Sequence, residues 1–340
     1  MRKNGYYYLV CLLRFLEHLL SCSLDQKSYN EGFFSKIRER LVSTVYGNCS
    51  RGGRKNIKVN VKEVDNVEDF IINVDRRNGP VVFRGGVRGW PCSQRWSIEY
   101  FKKKCGDVSV FNIDDRITDP HAVKGSNDLA SIIDDFGSGK KLYARFVPII
   151  NRFPEVLKDL DMNLLQRIIG GGKSPIKIWG DKSKGIPVRS HLFLGEARTK
   201  TSIHCELTNN FFCNVVGVKE WVVLHPMSLF ALKSPVTKNP GVFGSQFDST
   251  LAGGDLFANL DSTQLVRITL NPGDLLFLPA FYWHEVTNIT DNISIGIRWY
   301  SFFDAMRSSK TLNFLSLLST RPTMLKAIKN ATEYGVVHGE

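Results

Sequence analysis

The sequence predicts a mainly β protein with flanking helices, its strands closed into a double-sheet jelly roll, or double-stranded β-helix. Three observations carry this expectation. Residues 292 to 300, NISIGIRWY, alternate Ile293, Ile295 and Ile297 against Ser294, Gly296 and Arg298, the period of two of a strand. Residues 209 to 226 are rich in Phe, Val and Trp on either side of a turn signal at Gly217-Val218-Lys219. Pro272-Gly273-Asp274 is a second turn signal, followed by the apolar run 275 to 278. Such strands enclose a cavity when they form two facing sheets.

The elements follow in order. Residues 1 to 25 carry Arg2 and Lys3 before an apolar run, with Ser21-Cys22-Ser23 behind it, the outline of a secretory signal or anchor. The same stretch places Leu9, Leu12, Leu13, Leu16, Leu19 and Leu20 on one helical face, so an amphipathic helix is the competing reading. Residues 26 to 140 form an N-terminal α+β extension with helices expected at 31 to 47, 94 to 105 and 126 to 136. Residues 141 to 305 form the strand-rich core. It contains a helix at 154 to 169 and a Gly- and Pro-rich insert at 235 to 261, long enough to cover a cavity as a lid. Residues 306 to 340 supply helices at 312 to 318 and 323 to 334. The apolar face Leu312, Phe314, Leu315, Leu317 and Leu318 suits packing on the chain's own barrel.

Composition sets broad bounds. The chain has 340 residues, 43% of them hydrophobic, as expected of a globular protein. No run reaches the roughly 20 apolar residues of a membrane span. The seven cysteines show no paired spacing, so reduced thiols are expected, but their count does not settle the compartment; the N-terminal segment read as a helix slightly favours a cytoplasmic or nuclear location over the secretory route. A net charge of +12 is concentrated in Lys36, Arg38, Arg40, Arg51, Arg54, Lys55, Lys58 and Lys102 to Lys104. Such a patch attracts nucleic acid, acidic peptides or membrane surfaces, but no nucleic-acid motif accompanies it, and a solvated basic face is the simpler reading.

One constellation points to chemistry. His204-Cys205-Glu206 opens a strand-like run, so His204 and Glu206 share a face and Cys205 takes the other. His284 follows the apolar run 275 to 278 on a separate strand. Two imidazoles and a carboxylate can hold one face of a non-heme Fe(II) and leave the other open to oxygen. The triplet alone is weak: His338-Gly339-Glu340 has the same spacing in a polar chain end.

The segments KTSIHCELTNNFFCNVVGVKEWVVLHP and NPGDLLFLPAFYWHEVTNITDNISIGIRWY resemble the JmjC/cupin-like Fe(II)- and 2-oxoglutarate-dependent oxygenases. The likeness is strongest to their hydroxylase branch, typified by the asparaginyl hydroxylase of hypoxia-inducible factor, and NGPVVFRGGVRGWP and HLFLGEA extend it. The resemblance implies His204, Glu206 and His284 as metal ligands. It implies Lys219, Thr201 and Tyr143 at the distal carboxylate of 2-oxoglutarate, and Asn210 as an amide near the metal. Arg298 is the alternative cation for that carboxylate. The branch's asparagine on the last strand corresponds to Ile297, a departure that removes one cosubstrate hydrogen bond. Phe211, Phe212, Phe277 and Trp283 are expected to wall the site. The resemblance also implies a homodimer through the C-terminal helices, the other reading of the apolar face at 312 to 318.

The implied reaction uses O2 and 2-oxoglutarate, gives succinate and CO2, and hydroxylates a protein side chain. N-methyl-lysine demethylation and RNA-base hydroxylation use the same chemistry, and Glu206 keeps the former open. A non-catalytic cupin-like binding module is the rival of another class.

Overall fold

The computed structural model describes residues 59–76, 79–111, 126–147, 149–171, 177–178, 189–230, 242–244 and 265–317. The expected elements at 1 to 25, 31 to 47 and 323 to 334, most of the insert, and the His338 triplet lie outside these residues.

Two sheets face each other, as the jelly-roll expectation requires. The larger runs in the order β1 (Lys62–Val64), β2 (Val81–Phe83), β13 (Leu275–Leu278), β9 (Asn209–Val216), β15 (Asn292–Ser301), β7 (Arg189–Gly195) and β5 (Tyr143–Val147), with β6 (Lys177–Ile178) also paired to β15. The smaller runs β11 (Val242–Gly244), β8 (Lys200–Glu206), β14 (Trp283–Asn288), β10 (Lys219–Leu224) and β12 (Leu265–Leu270). The chain crosses between sheets at each of the turns β7–β8, β9–β10, β12–β13 and β14–β15, so strands distant in sequence become neighbours. A short pair, β3 (Ser109–Phe111) and β4 (Ser126–Asp128), stands apart.

Alternation along β9 and β15 divides the apolar residues into two cores. Phe211, Phe277, Ile293, Ile295, Ile297 and Trp299 belong to the core that the helices cover. Phe212, Tyr143, Phe193, Trp221, Val223 and Val286 belong to the core between the sheets. Helix α1 (Val67–Arg76) covers the outer face through Phe70, 5.7 Å from the Phe211 ring. Gly217 makes the β9–β10 turn at φ +76, and a Cβ there would lie 1.9 Å from the Asp291 carbonyl oxygen. Only glycine fits both requirements.

Several helical expectations are corrected. The stretch 94 to 105 is two helices, α2 (Cys92–Arg95) and α3 (Ile98–Cys105), because Ser97 turns extended and accepts the Tyr100 N–H as an N-cap. Residues 126 to 128 form β4. Asp128 then caps α4 (Leu129–Asp134) by accepting from Ser131, so the helix begins three residues later than expected. The stretch 154 to 169 divides into a 3-10 turn (Pro154–Asp159) and, after α5 (Ile149–Arg152) and that turn, α6 (Met162–Gly171). Asp159 is buried there by accepting from Arg95, Trp96 and Tyr100. After β15 come α7 (Phe302–Ser308) and α8 (Lys310–Leu317), whose Leu312 is buried within the chain. Within the basic region, Lys102 pairs with Asp134 and Lys104 with Glu155.

Asp274, 1% exposed, ties β2 to the β12–β13 turn. It accepts from Arg84 Nη1 at 2.7 Å and from the Gly85 and Asn271 N–H groups at 2.9 Å. Asp274→Ala removes the acceptor of the Gly85 and Asn271 N–H groups, while Arg84 keeps Glu63 and the Thr269 carbonyl, and we expect a loss of about 3 kcal/mol. Urea unfolding measures it, and a loss under 1 kcal/mol would refute this account.

Candidate functional site

The site lies between the sheets, and strand register builds it. His204 stands directly opposite His284 in the β8–β14 pair, but two residues further along β14, Val286 is opposite Thr201 rather than Ser202. One extra residue is therefore accommodated in β8, a β-bulge. It changes the phase of the strand, so Thr201, three residues before His204, joins the same face. Val286, its partner, packs in the core between the sheets.

The two histidines are built alike. Each ring Nδ1 lies against the carbonyl two residues earlier, His204 on Ser202 at 2.8 Å and His284 on Tyr282 at 2.9 Å. A carbonyl can only accept, so Nδ1 carries the proton and Nε2 keeps its lone pair. The rings are 4.2 Å apart, and Trp221 stacks on His284 at 5.2 Å. Burial, followed by the neighbouring His284, pushes His204 down to about 3, and burial also lowers His284. Both are neutral imidazoles at physiological pH. The approach to His284 is tight. Phe281 adopts φ +64, rare for a bulky residue, and its N–H donates to the Glu206 carbonyl at 2.7 Å.

Glu206 shares the face of His204, with Oε1 3.8 Å from His204 Nε2. Its other oxygen, Oε2, accepts from Arg298 Nε at 2.5 Å. Both side chains are almost fully buried. Arg298 also reaches His191 at 3.4 Å and lies 5.7 Å from the Phe146 and Phe193 rings. The carboxylate is thus drawn toward the guanidinium. Among the described residues no three His, Cys, Asp or Glu side chains stand at metal-holding spacing as they are.

Lys219 is fully buried, and its ammonium donates to the Tyr143 hydroxyl at 3.1 Å. The rings of Tyr143, Phe212 and Phe193 surround it at 5.2 to 5.7 Å. No carboxylate pairs with it among the described residues, and burial lowers its pKa. Tyr143 fits against β7 because its register partner is Gly195, where a Cβ would meet the Tyr143 ring at 2.7 Å. Asn210 is buried with both amide atoms unsatisfied, on the inner face of β9 with Phe212. The structure therefore brings His204, Glu206, His284, Thr201, Lys219, Tyr143 and Asn210 to one interior.

Three expectations are corrected. Ile297 is no cosubstrate position: it points into the helix-side core, and Gly296 and Arg298 face the cavity. Phe211 and Phe277 belong to that outer core, and Trp283 alternates away from His284, with its indole donating to the Pro226 carbonyl at 3.4 Å. The inner walls are Phe212, Phe193, Trp221 and Phe146. Arg298 serves Glu206 rather than neighbouring Lys219's hydroxyl partner.

Breaking the Glu206–Arg298 pair from one side leaves a buried charge uncompensated, at a cost of about 3 to 5 kcal/mol. We expect Arg298→Met to destabilise by that amount and Glu206→Gln with Arg298→Met to recover most of it. A double-mutant cycle by denaturant unfolding measures the coupling, and additive losses would refute the pairing.

The sequence matches the family described as Cupin-like domain over residues 68–305. Among curated proteins it is 24% identical to human "Bifunctional peptidase and (3S)-lysyl hydroxylase JMJD7" over 66% of this chain and 77% of that protein. It is 24% identical to "Arginine-specific demethylase JMJ22" of Arabidopsis thaliana, over 80% of this chain and 50% of that protein. It is 22% identical to "Lysine-specific demethylase 8" of Xenopus tropicalis, over 65% of this chain and 48% of that protein. The chain thus spans about half the length of the two demethylases. The match covers well over half of the sequence and spans every strand of both sheets except β1, so the chain belongs to the cupin-like domain family.

Proposed function

We propose that this chain is an Fe(II)- and 2-oxoglutarate-dependent oxygenase that hydroxylates a protein side chain. One observation carries the reading: the ammonium of Lys219 is buried against Tyr143, without an acidic partner among the described residues, in the same interior as two neutral histidines. A buried cation calls for an anion, and the histidine Nε2 atoms call for a metal.

The residues present fit both groups. His204 and His284 would ligate through Nε2, their Nδ1 protons already committed, and Glu206 would supply Oε1 from the same face. Lys219, Tyr143 and Thr201 would hold the distal carboxylate of 2-oxoglutarate, and the orphaned Asn210 amide lies inside the same interior. Bound there, iron and cosubstrate would supply O2 activation coupled to loss of CO2. The chain's own part is positional. Lys219 supplies the charge, the Tyr143 hydroxyl orients it, and Phe193, Phe212 and Trp221 keep water from the reacting centre. The relatives are named for lysyl hydroxylation and for arginine or lysine demethylation, which favours a protein side chain as the target. Demethylation is the second reading, supported by those names.

A lid formed by the insert 235 to 261 is part of this reading and rests on the insert's described residues 242 to 244. Its strand β11 pairs with β8, Val242 opposite Glu206 and Gly244 opposite His204.

Anaerobic addition of 2-oxoglutarate to the Fe(II)-loaded chain is expected to give a weak visible charge-transfer band that His204→Ala abolishes. Lys219→Ala is expected to raise the 2-oxoglutarate requirement roughly 30-fold or more while iron affinity stays within a few-fold. Absence of the band in wild type would point to a binding module instead. Mass spectrometry of an incubated peptide library separates gain of one oxygen from loss of a methyl group.

Replacing residues 245 to 261 by a short flexible linker, with Val242 to Gly244 kept, is expected to spare uncoupled 2-oxoglutarate turnover and reduce peptide oxidation. Undiminished peptide oxidation would rule out the lid.

A further inference from the structure

A second buried cation shares the Lys219 end of the cavity. Arg145 is 3% exposed, its Nε has no hydrogen-bond partner, and no carboxylate pairs with it among the described residues. It sits in a bulge of β5. Ala144 stays opposite Leu194 and Val147 opposite Leu192, so Arg145 and Phe146 occupy the place of one residue. Ala144 and Val147 enter the helix-side core, and Phe146, at φ +55, packs on Phe193 and His191 between the sheets. Arg145 follows Tyr143 by two, on the same inner face, with its guanidinium carbon 5.6 Å from the Tyr143 ring centre. The Lys219 ammonium is 5.2 Å from that same ring centre.

Two buried positive charges on one tyrosine repel each other and have each lost their water. Burial pushes Arg145 down to about 10, which still leaves it charged at neutral pH. The arrangement differs from that of Arg298, whose charge Glu206 already balances. A carboxylate offers two oxygens, one for an ammonium and one for a planar guanidinium.

We propose that Arg145 and Lys219 form a two-cation clamp on the distal carboxylate of 2-oxoglutarate, and that Arg145 sets the preference for a dicarboxylate over a monocarboxylic 2-oxo acid. The proposal rests on the oxygenase reading. Its position favours the cosubstrate over an acidic substrate side chain, because Arg145 shares the ring whose hydroxyl Lys219 engages, whereas the cation beside the histidine pair is Arg298.

The test is anaerobic binding to the full chain loaded with Fe(II), followed by calorimetry and by the visible band, with 2-oxoglutarate and with 2-oxobutyrate as probes. Arg145→Gln is expected to weaken 2-oxoglutarate roughly tenfold or more and to leave 2-oxobutyrate within about twofold. Arg145→Lys is expected to restore part of the loss. The thermal midpoint of Arg145→Gln is expected to hold or rise, since an uncompensated buried charge is removed; a fall accompanied by equal weakening of both acids would mean a structural role and overturn the clamp. If wild type fails to bind 2-oxoglutarate, both readings fall. If wild type binds it, Lys219→Ala weakens it and Arg145→Gln does not, the clamp alone falls.

Discussion

The rest of the site depends on the register of one strand pair. With His204 directly opposite His284 across β8 and β14, two imidazoles from distant parts of the sequence meet at a fixed spacing. Had β8 slipped by one residue, the whole histidine-bearing face would turn away from the cavity. The bulge between His204 and Thr201 then adds a residue without disturbing the histidine pair. Backbone carbonyls, rather than other side chains, fix each imidazole's tautomer, so ring orientation is inherited from the strands themselves.

The interior is electrostatically lopsided. Between the sheets stand Lys219, Arg145 and Arg298, and among the described residues Glu206 pairs with Arg298. Such an excess raises the cost of folding and lowers the cost of taking up an anion. Aromatic faces moderate it: Phe193 lies beside both Lys219 and Arg298, and Tyr143 beside both Lys219 and Arg145. Outside, Lys102 and Lys104 have acidic partners, so these two surface lysines and the cavity cations differ in kind.

Much of this was legible from the sequence, for definable reasons. His204 and Glu206 share a face because strands have a period of two, and the alternation in 292 to 300 and the glycine turn at 217 marked strands the structure contains. The resemblance pointed to Lys219, Tyr143, Thr201 and Asn210, which spacing alone could not have joined. What stayed hidden were faces and phases. The resemblance put Ile297 at the site, and nothing in its neighbourhood says which side of β15 faces inward; the alternation is equally good for both. Arg145 escaped notice because a bulge leaves no mark in one sequence. The helix expected at 126 to 136 failed at Asp128, whose side chain caps a later start.

Gly195 shows how closely these layers are coupled. A single methyl group there would displace the Tyr143 ring and crowd the Asn288 amide. Tyr143 carries the hydroxyl that accepts from Lys219. The expense of that methyl would therefore be felt one strand away as an ammonium deprived of its acceptor, an electrostatic penalty arising from a steric change that touches no charged group.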